Sequence, residues 1–468
     1  MIQAGAVLRR ELWQRGQRWR LLLQRQQRPV QLQRQPGLPF RSCHDVLPSE
    51  AADPCGLLPV QGGKRIIPPW LLPKNKCGRG MPQVTRPGRK SCNGRKDSAP
   101  MIKNIFDQIA SFEGLNTAEH DSLLGRKKFP EELEFWDNRE DNLHRMSEML
   151  YDGAYPPDTY HTFPVFIPKE RRIICSDYTT KVVQRAAYNA LNPLLSNGFI
   201  PHSFACVPGR GGLYAGLQLA SWINYVTRSG RQWYYLKADC EKFFYRVDHQ
   251  KLLEVYSHKV ADKQAMALLE HYICHSSRAF GIPLGTDPIK MDLEDMLWDK
   301  GIAIGGGMSH MSGNVYLNEL DLYAKRVLQI HYYVRYMDDI IVLMDDKERL
   351  REVYHKLSDY LEGRLLMRFN HKTAIRPVNC GVEFVGYYIR PFSMQIRKST
   401  SLRMKRRLKQ VQELYHDGRM NIQEANATVQ SYKALMAKTD SRALDTKIFA
   451  DFVLTRDDGD ILRDGYEC

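Results

Sequence analysis

No stretch of this 468-residue chain approaches the roughly 20 consecutive apolar residues that a membrane-spanning helix needs. Leu21-Leu22-Leu23 is too short and too closely flanked by Arg to serve as the apolar part of a secretory signal. Cysteines are present but not grouped. The four in the first hundred residues, Cys43, Cys55, Cys77 and Cys92, stand too far apart for a zinc knuckle. No His/Cys cluster suggests a homing nuclease. These absences argue against a membrane protein, a disulfide scaffold and a zinc-finger module, and they leave a reducing cytoplasm as the expected compartment. Acidic residues are nearly missing from one region only. Residues 1–100 hold 19 Lys+Arg against 5 Asp+Glu, and the remaining 368 hold 49 against 48, so the net charge of +15 belongs almost entirely to the first hundred. That segment is rich in Arg, Gln, Pro and Gly without periodicity, and it is expected to be a disordered basic extension. It reads as a nucleic-acid-binding arm, as an organelle transit peptide, or as an extension upstream of a true start at Met101. The third reading is favoured because ordered patterning begins abruptly at Ile102-Lys103-Asn104-Ile105-Phe106.

What is present centres on Tyr336-Met337-Asp338-Asp339. Apolar runs flank it, Tyr332-Tyr333-Val334 before and Ile340-Ile341-Val342-Leu343 after, and both read as buried strands. The Asp pair is then expected at the tip of a tight hairpin. Two carboxylates held so close repel unless a cation lies between them. Upstream, Tyr234 to Ala238 reads as a strand that ends on Asp239, with Cys240-Glu241-Lys242-Phe243-Phe244 following. If the two strands are neighbours in one sheet, Asp239, Asp338 and Asp339 converge. Oxygen ligands of this kind suit magnesium and in-line phosphoryl transfer between two ions.

An Asp followed by Phe-Phe, and later Tyr-Met-Asp-Asp between apolar strands, resembles the palm of a reverse transcriptase. The resemblance runs from about Phe163 to about Ile389, more loosely to about Asp440, and rests on six blocks in the family's order. They are Phe166-Ile167-Pro168-Lys169-Glu170-Arg171-Arg172 with Val182-Val183-Gln184; Ser203-Phe204-Ala205-Cys206 with Gly209-Arg210-Gly211; the Asp239 block; Ile304-Gly305-Gly306-Gly307-Met308-Ser309-His310 with Asn314 to Asp321; the Tyr336 block; and Asn370-His371-Lys372-Thr373 with Phe384-Val385-Gly386-Tyr387. The implied fold is α+β: a right-hand polymerase with fingers (101–231), a ferredoxin-like palm (232–396) and a short helical thumb (397–468), preceded by the basic extension 1–100.

The resemblance also implies roles. Asp239 and Asp338 would bind two Mg2+ ions, with Mn2+ as a substitute. Asp339 and the carbonyl of Cys240 would be further ligands. Phe244 would block a ribose 2′-hydroxyl and so favour dNTPs, although either Phe243 or Phe244 could instead belong to the core. Lys169, Arg171 and Arg172 are candidates for the triphosphate, since guanidinium forks match phosphate oxygens; Lys169 and Arg172 read equally well as solvated turn residues. Ile304 and Gly305 would border the incoming nucleotide, and Lys372 would protonate the leaving pyrophosphate. Gly209, Arg210 and Gly211, and Arg403, Arg406 and Arg407 on a basic helix, would contact nucleic acid.

Ile304 bears on subclass. Group II intron and retron relatives usually carry Gln there, and an apolar side chain cannot hydrogen-bond a base or sugar edge. Ile-Gly-x-x-x-Ser resembles the enzymes of diversity-generating retroelements, although His310 replaces their Gln. An error-prone enzyme is expected, bacterial or phage-encoded, using an RNA template, a DNA or RNA primer, dNTPs and a small basic accessory protein, without a membrane. The alternatives are a group II-like, retron or phage-defence reverse transcriptase, or a non-catalytic RNA-binding scaffold. About 70 residues follow the palm, which suits a thumb but not a ribonuclease H or endonuclease domain as well.

Overall fold

Both faces of the central β-sheet are covered, which explains why its strands read as continuous apolar runs. The computed structural model describes residues 101–123, 130–156, 159–166, 171–450 and 452–456, all within a unit spanning 52–468. The basic extension 1–100 lies outside the described residues.

In chain order, helices α1 (Phe106–Ala110), α2 (Phe112–Leu123), α3 (Pro130–Asp137) and α4 (Arg139–Tyr151) come first. The hairpin β1 (Tyr160–Val165) and β2 (Arg171–Ser176) follows, then α5 (Tyr178–Ser196) and α6 (Gly212–Thr227). In this hairpin Phe163 stands opposite Ile173. The central sheet then begins with β3 (Tyr234–Asp239), followed by one helical turn, Phe243–Arg246, and helices α7 (His249–Ser257), α8 (Lys263–Cys274) and α9 (Gly307–Leu322). A π-helical turn, Tyr323–Val327, leads to β4 (Tyr332–Tyr336), β5 (Asp339–Met344), α10 (Lys347–Leu365) and β6 (Ala374–Pro377). A small sheet, β7 (Val382–Phe384), β8 (Tyr387–Arg390) and β9 (Ser393–Ile396), precedes α11 (Lys398–His416), α12 (Ile422–Met436) and α13 (Arg442–Phe449).

The central sheet has the order β4-β5-β3-β6 with every neighbour antiparallel. With helices between β3 and β4 and between β5 and β6, this is the βαββαβ connectivity of ferredoxin-like folds. Side chains alternate faces along each strand. Leu236, Ala238, Tyr333, Ile340 and Val342 join the core formed with α9 and α10. Tyr235, Val334, Ile341 and Leu343 join a second core with α6, the small sheet, α11 and α12. Helix α6 lies close on the small sheet, because a Cβ at Gly216 would stand 2.9 Å from the ring of Tyr387.

The 276–302 connection carries a satellite core of Ala279, Ile282, Met291 and Met296. It crosses itself where Gly281 N donates to Leu297 O and Leu297 N donates back to Gly281 O. The second crossing glycine, Gly301, has φ +89°, and a Cβ there would fall 2.5 Å from the carbonyl carbon of Phe280. Backbone on both sides cannot yield, so Gly301→Ala is expected to destabilise the fold by about 1–3 kcal/mol. Gly363 sits on exposed α10 with nothing near its missing Cβ, and Gly363→Ala is expected to stabilise by about 0.5–1 kcal/mol. Denaturant midpoints of the two variants check both signs.

Candidate active site

The antiparallel register places Asp239 directly opposite Asp339, at the ends of β3 and β5. Tyr336 pairs with Asp339, so the hairpin turn consists of Met337 and Asp338. Both Asp residues were expected at the tip; only Asp338 is there, and Asp339 already belongs to the strand. Met337 takes the left-handed conformation, φ +53°, which lets so short a turn follow the twist of its strands.

The carboxyl of Asp338 lies within hydrogen-bonding reach of that of Asp239, and burial followed by this like charge pushes its pKa up to about 7. Asp339 is turned toward Lys237, whose Nζ stands 3.8 Å from its Oδ1. That is an ion pair too long for a hydrogen bond, and the buried Oδ1 has no hydrogen-bond partner. Burial raises the pKa of Asp339 to about 6, against the pull of Lys237. The three carboxylates stand within electrostatic reach of one another, Asp339 opposite Asp239 and Asp338 beside both. Among the described residues no group of three His, Cys, Asp or Glu side chains gathers to hold a metal ion. Two carboxyls meet, and the third is held by a cation on the same sheet face.

Asn370 closes the site from the β6 side. Its backbone N donates to Asp239 O at 2.7 Å, and its Nδ2 reaches Asp239 Oδ2 at 3.4 Å. Glu241 N donates to Arg368 O. This ladder pattern skips Cys240, leaving its carbonyl out of the pairing on that side, while its thiol is buried and pushed well up by that burial. Lys372 is exposed on the same turn, with its backbone N donating to Asn370 Oδ1.

The two phenylalanines divide as adjacent residues must. Phe243 is a core residue against Gly313, where a Cβ would come within 2.8 Å of its ring. Phe244 is half-buried, with its ring edge-on to that of His310 at 5.6 Å. Its backbone is held by Ile302 N, which donates to Phe244 O. Ile304 is half-buried in the turn before α9. The glycines that follow it let that turn approach β2 and α5: the missing Cβ of Gly305 (φ +119°) faces Ile173, and that of Gly307 faces the ring of Tyr188.

Other expected residues stand apart from this cluster or outside it. Lys169 lies outside the described residues, as do the side chains of Arg171 and Arg172. Arg210 is half-buried and donates Nη1 to the carbonyls of Ile200 and Ser203, so it braces its own loop. Gly209, with φ +72°, and Gly211 border the start of α6 with open space where a Cβ would be. Arg403 and Arg406 are exposed on α11, and Arg407 donates Nη1 to Gln410. Lys237, Asn370 and His310 were missed as site residues. Lys237 had a readable signal, being a charge inside an otherwise apolar strand.

Residues 163–389 match the family model described as reverse transcriptase (RNA-dependent DNA polymerase). Protein YkfC of Escherichia coli is 24% identical over 282 residues, which cover 52% of this chain and 70% of that protein. The COX1/OXI3 intron 2 protein of Saccharomyces cerevisiae is 24% identical over 255 residues, 45% of this chain but only 29% of that protein. Among solved structures, telomerase from Candida albicans in complex with a fragment of telomeric RNA aligns with a TM-score of 0.38 and 12% identity, over 63% of this chain and 55% of that one. The matched stretch begins in β1, ends in β8 and contains all three aspartates of the site, so over these residues the chain carries a domain of the reverse transcriptase (RNA-dependent DNA polymerase) type.

Proposed function

We propose that this protein copies an RNA template into cDNA by extending a primer 3′-hydroxyl with dNTPs at the Asp239–Asp338 pair. The meeting of these two carboxyls carries the reading. A buried like-charge contact is unfavourable by itself, and it makes chemical sense where divalent cations complete the site. The donors suit hard cations: carboxylate oxygens of Asp239 and Asp338, the unbonded Oδ1 of Asp339 and the Cys240 carbonyl. Bound Mg2+, or Mn2+ in its place, supplies activation of the primer hydroxyl and neutralisation of the triphosphate.

The protein's own part is position and charge. Asp239 and Asp338 hold the cation position at the end of a rigid sheet. Lys237 stands beside Asp339 and tempers the negative charge. Phe244, held by its backbone bond to Ile302 and by the ring of His310, presents a bulky edge where a ribose 2′-hydroxyl would enter. Lys372, exposed on the turn after Asn370, would serve the leaving pyrophosphate. In this reading residues 101–231 act as fingers, 232–396 as palm and the helices after 397 as thumb. The exposed cations of α11 track a duplex backbone.

For the subclass, Ile304 supports an error-prone enzyme of a diversity-generating retroelement with a small basic accessory protein. A group II-like enzyme is the second reading, favoured by the likeness to a yeast intron protein.

In metal-free buffer, Asp338→Asn is expected to melt a few degrees above the wild type at pH 8. The folded pKa of Asp338, about 7 against an ordinary 3.8, means that the folded state binds more protons between those values. Stability contributed by this group therefore falls as pH rises through that window. The advantage of the Asn variant should shrink toward pH 4, and Mg2+ should raise the melting temperature of the wild type more than that of the variant. Calorimetry with and without Mg2+ decides.

Mg2+-dependent dNTP incorporation on an RNA template should fall by roughly 10³-fold or more in Asp338→Ala. Phe244→Ala should keep dNTP incorporation while admitting rNTPs. A wild type inactive with every primer would return the chain to an RNA-binding scaffold. Sequencing of cDNA tests the subclass: Ile304→Gln should make fewer errors than the wild type, and equal error rates would remove the diversity-generating reading.

A further inference from the structure

Arg335 is an anomaly in a buried strand. It stands in β4 between Val334 and Tyr336, and its side chain has no exposure to solvent. A guanidinium so placed must find partners for its donors. Nε donates to both carboxylate oxygens of Asp321, at 2.8 and 2.9 Å, and Nη2 donates to Asp321 Oδ2 at 2.7 Å. Asp321, in the last turn of α9, is equally buried and also accepts from the hydroxyl of Tyr333.

That fork would suffice to fasten α9 to the sheet, but Arg335 does more. Its Nη1 donates to Asn314 Oδ1 at 2.9 Å and to the carbonyl oxygen of Met337 at 2.8 Å. Met337 is the left-handed residue of the turn, and its carbonyl belongs to the peptide that leads into Asp338. Fixing that peptide plane fixes the direction in which the Asp338 side chain leaves the backbone. The clamp has a second anchorage. Asn314 Nδ2 donates to Ala205 O, and the backbone of Arg335 pairs with His202 and Phe204. The network thus joins α9, the 202–205 segment and the turn.

We propose that Arg335 is a positioning residue: anchored on Asp321 and Asn314, it holds the Met337 carbonyl and thereby aims the Asp338 carboxylate at the cation position. This rests on the polymerase reading above. The competing explanation is a purely structural ion pair between helix and sheet, for which the bond to Met337 is incidental.

Arg335→Lys separates the two. A lysine keeps a charge beside Asp321 but lacks the fork that reaches Asp321 and Met337 together. Mn2+ binding to the free protein by electron paramagnetic resonance and single-nucleotide extension are the readouts. In Arg335→Lys, Mn2+ affinity and kcat are expected to fall by about 10–100-fold. KM for dNTP should stay within about twofold, as for a loss felt in the chemical step rather than in nucleotide binding. Adding Met337→Gly, which adopts left-handed backbone without steric cost, should restore part of both. A folded Arg335→Lys with unchanged Mn2+ affinity and kcat, or a loss that Met337→Gly does not relieve, overturns the proposal.

If Arg335→Lys fails to fold, Asn314→Ala takes its place. It leaves the ion pair with Asp321 and removes one anchor of Nη1. A weaker loss of the same kind supports the proposal, and no change in Mn2+ affinity overturns it. Asp338→Ala sets the baseline: if the wild type binds Mn2+ no better than this variant does, the polymerase reading itself falls, and the positioning role falls with it.

Discussion

Two carboxyl groups are brought together in a place where neither gains from the other's company. Asp338 reaches Asp239 in a half-buried corner of the sheet, and burial sharpens the repulsion between them. The contact persists because it is dictated from elsewhere. The pairing of β3 with β5 continues through six residue pairs, from Tyr234 and Met344 to Asp239 and Asp339. A slip of one residue would turn every apolar side chain of β5 to the wrong core. Both faces are occupied, by α9 and α10 on one side and by α6 and the small sheet on the other, so neither direction of slip is open. The packing of the sheet thus supplies the constraint, and the site uses it.

The walls of the site follow from the same frame. Phe244 comes five residues after Asp239, and its backbone is fixed through the bond from Ile302. Arg246 Nη1 and Tyr245 O are both tied to Ile282. The 276–302 connection therefore braces the aromatic edge from behind. Its hold extends to the β1–β2 hairpin, through Arg278 to Thr162 and through the edge-on rings of Tyr160 and Phe280. The glycine-rich turn before α9 is shaped by β2 and α5. Parts that are remote in sequence converge on one small volume, fastened by backbone bonds and by the Arg246 and Arg278 side chains.

Much of this was readable in the residues. Apolar runs around Asp338 and before Asp239, broken only by Arg335 and Lys237, give strands covered on both faces, and the Asp residues mark where those runs stop. Met404, Leu408, Val411 and Tyr415 recur at helical spacing, and on α11 the first three are buried and Tyr415 is half-buried. What composition could not give is which strands are neighbours. The order β4-β5-β3-β6 is a long-range property, and with it come the pairing of Lys237 with Asp339 and the reach of Asn370 to Asp239. The division between Phe243 and Phe244 was likewise undecidable until Gly313 was seen to receive the first. Arg210 was expected, with Gly209 and Gly211, to contact nucleic acid, and its Nη1 is on the carbonyls of Ile200 and Ser203. The carbonyls that it serves, Ile200 and Ser203, carry no signal in side-chain chemistry.

Charge is distributed to match these roles. Outside the first hundred residues the chain is close to neutral, so affinity for a polyanion must come from local arrangement rather than from the total. On α11, Arg403 and Arg406 remain exposed, whereas Lys409 lies 3.7 Å from Glu413 and Arg407 is engaged with Gln410. A cation already paired on its own helix has less to offer a phosphate, since binding must first break that contact. The uncommitted guanidinium groups are those near the start of the helix, which follows directly on β9 and so on the small sheet that Lys237 Nζ touches through Glu383 O at 2.7 Å. The same lysine faces Asp339. One side chain therefore connects the acidic end of the central sheet with the sheet that leads into the basic helix. A strand that must place negative charge at its tip gains from a cation two residues earlier on the same face, and here that cation also ties the two sheets together.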